Sequence, residues 1–263
     1  MILAIDVGNT NITLGCLDKK EIYFVSRLST DHSKTADEYA LVLKGILDLY
    51  HVDTANIQGG IISSVVPVLK QPLSAAVEKL TGKPCMIIGS GLKTGLNILI
   101  DNPAQLGSDL VVDAVAALAE YPPPIMIFDM GTATTLSVID GKGNYRGGMI
   151  IPGIMVSLNA LSSRTSQLQR ISLEEPRALV GTNTIDCMKS GIVYGNAAML
   201  DGIIDRITDE LGEKPSVVAT GGLASVIIPH CRREISYDDN LMLKGLRLIY
   251  EKNQKDDKRH IGG

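Results

Sequence analysis

Residues 1–18 read MILAIDVGNTNITLGCLD, and residues 125–143 read IMIFDMGTATTLSVIDGKG. Each is an apolar run that ends in an aspartate, Asp6 in the first and Asp129 in the second. Two residues on comes a glycine, Gly8 or Gly131. Short amide or hydroxyl side chains follow: Asn9 and Thr10 in one, Thr132 and Thr134 in the other. Each stretch then resumes as strand-like sequence. Alone, such a segment is an ordinary β-hairpin, because Gly and Asn are common turn residues. Two of them, each heading a run of three strands, point to a duplicated unit.

The pattern around them supports that reading. Period-2 and buried apolar runs predict strands at 2–6, 12–17 and 22–28, and the restart places others at 125–129, 133–139 and 145–150. Turns are expected at DGKGN and RGG in the second run. Between the halves, 34–52 has helical apolar spacing, with Thr35 as N-cap and Glu38 three residues on. A buried strand ends at Pro67, a helix covers 68–81, a strand 85–88 and a helix 107–120. YPPP at 121–124 breaks the chain. Later come helices at 153–163 and 184–211, a strand at 216–220 meeting Gly221-Gly222, and a last helix at 240–251. Alternating strands and helices predict an α/β fold. The expected division is residues 1–121, residues 122–253, and a charged flexible tail at 254–263.

Bulk properties exclude several classes of function. Apolar residues make up 45% of the 263, enough to fill a large core. A net charge of −4 gives no general attraction to nucleic acid or to a membrane surface. Trp is absent and Phe occurs twice, so aromatic stacking platforms are not expected. Cys16, Cys85, Cys187 and Cys231 form no CxxC pair and lack histidines at metal-ligand spacing, which reads as reduced thiols. His32, His51, His230 and His260 are scattered and read as surface residues. No apolar run reaches the ~20 residues of a spanning helix, and the N-terminus does not resemble a leader peptide, so a cytoplasmic protein is expected.

The chemistry of the two turns suggests a phosphate site. A carboxylate at the end of a buried strand has left the sheet and can face a ligand. A glycine next to it lets the backbone approach that ligand closely, and successive N–H groups at such turns form anion-binding concavities. The carboxylates would take cations, because they repel phosphate. ATGGLA at 219–224 adds a glycine pair at a strand-to-helix junction, where a flat base could lie against bare backbone.

These features together resemble the actin/hexokinase/heat-shock-chaperone phosphotransferase superfamily, which implies two duplicated ribonuclease-H-like halves, each a mixed sheet flanked by helices. The wording DVGNTN, RLSTDHSKTADEY, ISSVVP, IDNPAQLGSD, DMGTATT, GGMIIPG, GTNTIDCMKSG, ATGGLA and LMLKGL, spread from residue 1 to about 253, is similar to one family within it, the type III pantothenate kinases. That resemblance implies ATP-dependent phosphorylation of pantothenate, the first step toward coenzyme A, in a cytoplasmic homodimer. It implies ATP contacts from Asp6, Val7, Gly8, Asn9, Thr10, Asn11, Ile12 and Thr13, from Thr132, and from Gly221 and Gly222. It implies Mg²⁺ at Asp6 and a monovalent cation, K⁺ or NH₄⁺, at Asp129. Asp109 becomes the catalytic base, and Gly107, Ser108, Asp109, Leu110 and Thr184 the pantothenate contacts. Gly191, Gly195 and Ala197 would let a long helix pack closely, between subunits in the dimer. Two positions depart from the family pattern: Leu110 stands where the family has Arg, and Ile100 where it has Tyr. Both lie on the acceptor side. They leave open a weakened or regulatory nucleotide-binding homologue, or a kinase of another small hydroxyl compound.

Overall fold

The computed structural model describes residues 1–89 and 91–260. In chain order the strands and α-helices are β1 (Ile2–Val7), β2 (Asn11–Leu17), β3 (Ile22–Ser29), α1 (Ala36–Leu49), β4 (Gly60–Ser64), α2 (Pro67–Thr81), β5 (Cys85–Ile87), β6 (Asn97–Ile98), α3 (Ser108–Glu120), β7 (Ile125–Met130), β8 (Ala133–Ile139), β9 (Asn144–Pro152), α4 (Ile154–Arg164), α5 (Thr184–Leu211), β10 (Ser216–Thr220), α6 (Ala224–Ile227), β11 (Ser236–Tyr237) and α7 (Leu241–His260). They form two compact units. The first comprises Met1–Leu96, Asn102–Ala116 and the chain from Asn240 onward, and the second comprises Asn97–Asp101 and Ala117–Asp239.

The duplication is visible in the sheets. The first sheet has the order β3-β2-β1-β4-β5, and the second has β11-β10-β7-β8-β9-β6. Read from the third strand of each meander, both run antiparallel hairpin, antiparallel hairpin, then two parallel strands on the far side. The register repeats as well. Asp6 pairs with Thr13 and Ser63, and Asp129 pairs with Thr135 and Thr220.

Each central strand is buried on both faces, as near-continuous apolar runs require. In the first unit, Leu3, Ile5 and Val7 pack against Leu43 and Leu47 of α1 and Leu73 and Val77 of α2. The opposite face, Ile2 and Ala4, packs against Val112 of α3 and Leu243, Leu246 and Ile249 of α7. Burying each such Leu or Ile side chain contributes roughly 1.5–3 kcal/mol. Asp6 continues the Ile2–Ala4 face, because alternate residues share a side, so its carboxylate lies on the side covered by α3. In the second unit, Met126, Phe128 and Met130 pack on Val193, Ala197, Leu200 and Ile204 of α5. Asp129 alternates onto the other face.

Local signals explain the helix ends. Thr35 and Glu38 form the expected capping box of α1. Asn183 caps α5 through its bond from the Asp186 N–H, and Gly212 ends that helix at φ 71°. Pro67, expected to end a strand, is instead the first residue of α2, where its missing N–H costs nothing. The expected RGG turn lies inside β9, where the register slips opposite Val138–Ile139 and a side chain at Gly148 would run into the Leu136 backbone. α7 continues past residue 251 to His260, and residues 261–263 lie outside those described. His230 is half-buried, with its ring edge against Tyr194 at 5.0 Å.

Candidate functional site

The first unit presents the β1–β2 turn and the start of α3 at one end of its sheet. The Gly8 N–H donates to Asn11 O at 3.0 Å, closing the turn. Thr30 ties it down from β3's end, donating its N–H to Thr10 O at 2.9 Å and its hydroxyl to Gly8 O at 2.7 Å. Asn9, Thr10 and Asn11 are left exposed at the tip. Val7 and Ile12 are fully buried, so only their backbone can reach a ligand. Thr13 is half-buried beside Asp6.

Asp109 comes to that same end through a pair of serines. Ser63 follows Ile62 on β4, is fully buried, and is the parallel-strand neighbour of Asp6. Its hydroxyl lies 3.1 Å from the hydroxyl of Ser108, the first residue of α3, and Ser108 reaches Ser64 O at 3.4 Å. Asp109 is the next residue. Its Oδ1 is buried, lies over Gly107, and has no hydrogen-bond partner. Burial pushes this carboxyl above the ordinary carboxylate range, and the N–H groups of Leu110 and of Asp109 itself oppose that rise. The side chain of Leu110 is half-buried.

The second unit assembles Asp129, Thr132, Gly153 and Gly221. The Gly131 N–H donates to Ala133 O at 3.1 Å, the counterpart of the Gly8 bond. Neither Gly8 nor Gly131 has positive φ. A methyl group at Gly131 would meet protein no closer than 3.6 Å, so the ligand-free chain does not itself require glycine there. Gly153, the N-cap of α4, sits against the other side of this turn. A methyl group there would lie 2.7 Å from Thr132 C, 2.8 Å from Gly131 O and closer still to Thr132 O. Gly221 has φ +92°, and a methyl group there would come within 2.7 Å of Asp129 Oδ1 and of the Met130 backbone. Gly221 therefore packs directly on the Asp129 turn, while Gly222 is exposed.

Sequence reasoning missed four of these contributors. Ser63 and Thr30 act through pairings distant in the chain, Gly153 through a tertiary approach, and Thr135 through its register. Thr135 is the cross-strand neighbour of Asp129 on the same face, and its buried hydroxyl has no partner. The signals present were polar residues closing the apolar strand GGIISSVV, and the Pro-Gly before α4. Thr184 is not part of either turn. It begins α5, exposed, and lines a cavity of about 770 Å³ with Leu161, Leu168, Cys187, Met188 and Ile192. Lys189, another cation within reach of that helix start, is paired with Glu174 at 2.7 Å.

The residues fit cations held jointly with phosphate. Among the described residues no three His, Cys, Asp or Glu side chains gather as a self-sufficient metal cage. Mg²⁺ is commonly bound by one or two carboxylates plus substrate phosphates, which a single carboxylate such as Asp6 can serve. At Asp129, the orphaned hydroxyl of Thr135 is a second oxygen donor on the same face.

Similarity to known proteins covers most of the chain. Residues 2–206 match the family model described as type III pantothenate kinase. A relative named type III pantothenate kinase from Exiguobacterium sp. strain AT1b is 47% identical over 97% of this chain and 100% of its own. Two solved structures share the fold at lower identity. The ROK hexokinase of Thermus thermophilus is 15% identical, with a TM-score of 0.53 over 97% of this chain and 99% of its own. MreB 5 of Spiroplasma citri bound to AMPPNP is 10% identical, with a TM-score of 0.59 over 98% of each chain.

Proposed function

The chain belongs to the type III pantothenate kinase family, and from that premise we propose how its residues divide the reaction. The reaction is the phosphorylation of pantothenate by ATP in coenzyme A biosynthesis. Such a transfer demands in-line positioning and charge neutralisation more than covalent chemistry by the protein. Asp109 takes the proton from the primary hydroxyl of pantothenate as that oxygen bonds to the γ-phosphorus and the bond to the departing ADP oxygen breaks. A carboxyl with its pKa raised by burial is the stronger base for this task. The observation that carries the reading is the buried, unpartnered Oδ1 of Asp109 at the start of α3, tied to the strand beside Asp6.

The exposed tip Asn9–Asn11 and the first residues of the Thr132 turn hold phosphate oxygens through N–H and side-chain donors. No protein atom crowds the place where a Gly131 side chain would stand, the nearest being Ala133 O at 3.6 Å, and that leaves its space to the nucleotide. Asp6 holds Mg²⁺, and Asp129 with Thr135 holds the monovalent cation. Each cation supplies positive charge to the phosphate oxygens it meets. Gly222 faces the adenosine, with Gly221 supporting the turn beneath it. Gly107, Ser108, Leu110 and Thr184 contact pantothenate, and the mainly apolar cavity beside Thr184 suits its methylated carbon chain. Leu110 gives up a guanidinium, while its N–H still works against the rise in the Asp109 carboxyl.

The second unit also exposes Met149, Ile150 at 81%, Met155, Val156, Leu179 and Val180 at 77%. Large apolar groups so exposed suit an interface, and this supports a homodimer. No described helix is long and apolar enough to cross a membrane, consistent with a cytoplasmic site of action. The test of the catalytic reading is ATP turnover that requires pantothenate, measured for wild type and Asp109→Asn. The variant should lose about 100- to 10,000-fold in kcat, the usual worth of a general base. Full activity in Asp109→Asn would refute the assignment.

A further inference from the structure

We propose that Ser63 is a positioning residue for the transfer step: its buried hydroxyl anchors Ser108 and so sets where Asp109 stands relative to the strand carrying Asp6. The inference rests on the reading of Asp109 as base.

Two observations carry it. Ser63 is fully buried on β4, after Ile61 and Ile62 and before the equally buried Ser64 that ends the strand. A buried hydroxyl without a partner is costly, and its partner here is Ser108 Oγ at 3.1 Å, on an element far away in sequence. Register then places it. Ser63 stands directly beside Asp6, and residues paired in this way share a face. The bond therefore spans from the sheet to the first residue of α3, one residue before the base. α3 has few other constraints at that end: Ser108 reaches Ser64 O at a long 3.4 Å, and Val111 N–H donates to Gly107 O at 3.2 Å. Without the Ser63 hydroxyl, the side-chain tie of the first turn to β4 is left to the long Ser108 bond to Ser64 O. The second sheet puts Thr220, also buried, in the equivalent place beside Asp129.

The experiment compares wild type, Ser63→Ala, Asp109→Asn and the double variant, with thermal unfolding as the check on folding. Ser63→Ala is expected to lower kcat about three- to tenfold, the worth of one net hydrogen bond, with KM for ATP unchanged. On the Asp109→Asn background it should cause no further loss, because its effect passes through Asp109. Unchanged kcat in Ser63→Ala overturns the inference while Asp109 stands as base. An equal loss on both backgrounds also overturns it, since it shows a structural role independent of Asp109. If Asp109→Asn keeps full activity, the base reading fails and the inference falls with it. Should Ser63→Ala not fold, Ser108→Ala removes the other partner of the same bond, and normal kcat in that variant overturns the proposal.

Discussion

Replacing Gly153 by alanine should damage the Thr132 turn more than the rest of the fold. Gly153 has φ −64°, which any residue adopts, so no backbone strain is at stake. The obstacle is space. The added methyl would stand 2.7 Å from Thr132 C and 2.8 Å from Gly131 O, with Thr132 O nearer still. Comfortable carbon contacts lie at about 3.5–4.0 Å, so one backbone must retreat from the other by roughly 1 Å. The obstructing atoms are main chain and cannot swing aside as a flexible side chain would. Overpacking of this kind costs about 1–3 kcal/mol, and a displacement of about 1 Å at reacting groups can cost 100-fold in rate. Gly153→Ala is therefore expected to fold with a melting temperature several degrees lower, and to lose about 100-fold in kcat/KM for ATP in a coupled ADP-release assay. Gly45→Ala is the matched control. It lies in α1 with nothing near its side-chain position, and should gain roughly 0.5–1 kcal/mol with normal activity. Wild-type kinetics in Gly153→Ala would refute the reasoning, by showing that the Thr132 turn moves freely or takes no part.

Three other outcomes follow from the site. Asp109 is neutral in both folded and unfolded chains below the unfolded value of about 3.9, and its burial cost is complete only above its raised folded value. Asp109→Asn should thus stabilise the protein at neutral pH, with the gain fading as pH falls toward that value; denaturant melts at several pH values will show a constant difference if this is wrong. Thr135→Val removes a buried hydroxyl that bonds to nothing in the protein, so stability should hold or rise while the K⁺ concentration for half-maximal activity increases; a loss of stability would place a structural partner there. Cys187 is the exposed thiol, whereas desolvation raises Cys16 to about 11 and Cys85 and Cys231 to about 12. One thiol should therefore react quickly with a disulfide reagent, and pantothenate should slow it, since Cys187 lines the cavity beside Thr184; equal rates with and without pantothenate would separate that cavity from the substrate.

What the sequence made legible was local, and what it hid was pairing at a distance. Asp6 and Asp129 could be placed at strand ends because apolar runs, a turn glycine and a following strand are contiguous. The capping box of α1 and the bounds of α5 were readable for the same reason. Ser63 was not, because its meaning depends on which strand lies beside β1, and β4 reaches that place only after a crossover through β3 and α1. Gly153 was part of a recognised motif, yet its role emerges only where the start of α4 meets the Thr132 carbonyl. Gly221 was expected to face adenosine because of its glycine pair, while its packing on the Asp129 turn shows only in three dimensions.

The duplication offers a route past that barrier. Once β1 and β7 are aligned on their aspartates, the sheet orders coincide, and the strand beside each must carry equivalent residues. The second half announces its position openly, because Thr220 precedes a glycine pair. The first half conceals the same position inside ISSVVP, where Ser63 looks like an accident in an apolar strand. Reading one half as the template for the other predicts a buried hydroxyl beside each carboxylate, and both Ser63 and Thr220 meet that expectation. The physical reason is common to both. A carboxylate leaving a sheet needs its neighbour to be small and hydrogen-bonding, since a large aliphatic side chain there would desolvate the charge without compensating it. Ser63→Val and Thr220→Val, each adding aliphatic bulk beside a carboxylate, should therefore both lower kcat, and an effect confined to one of them would show that the two halves use their aspartates in physically different ways.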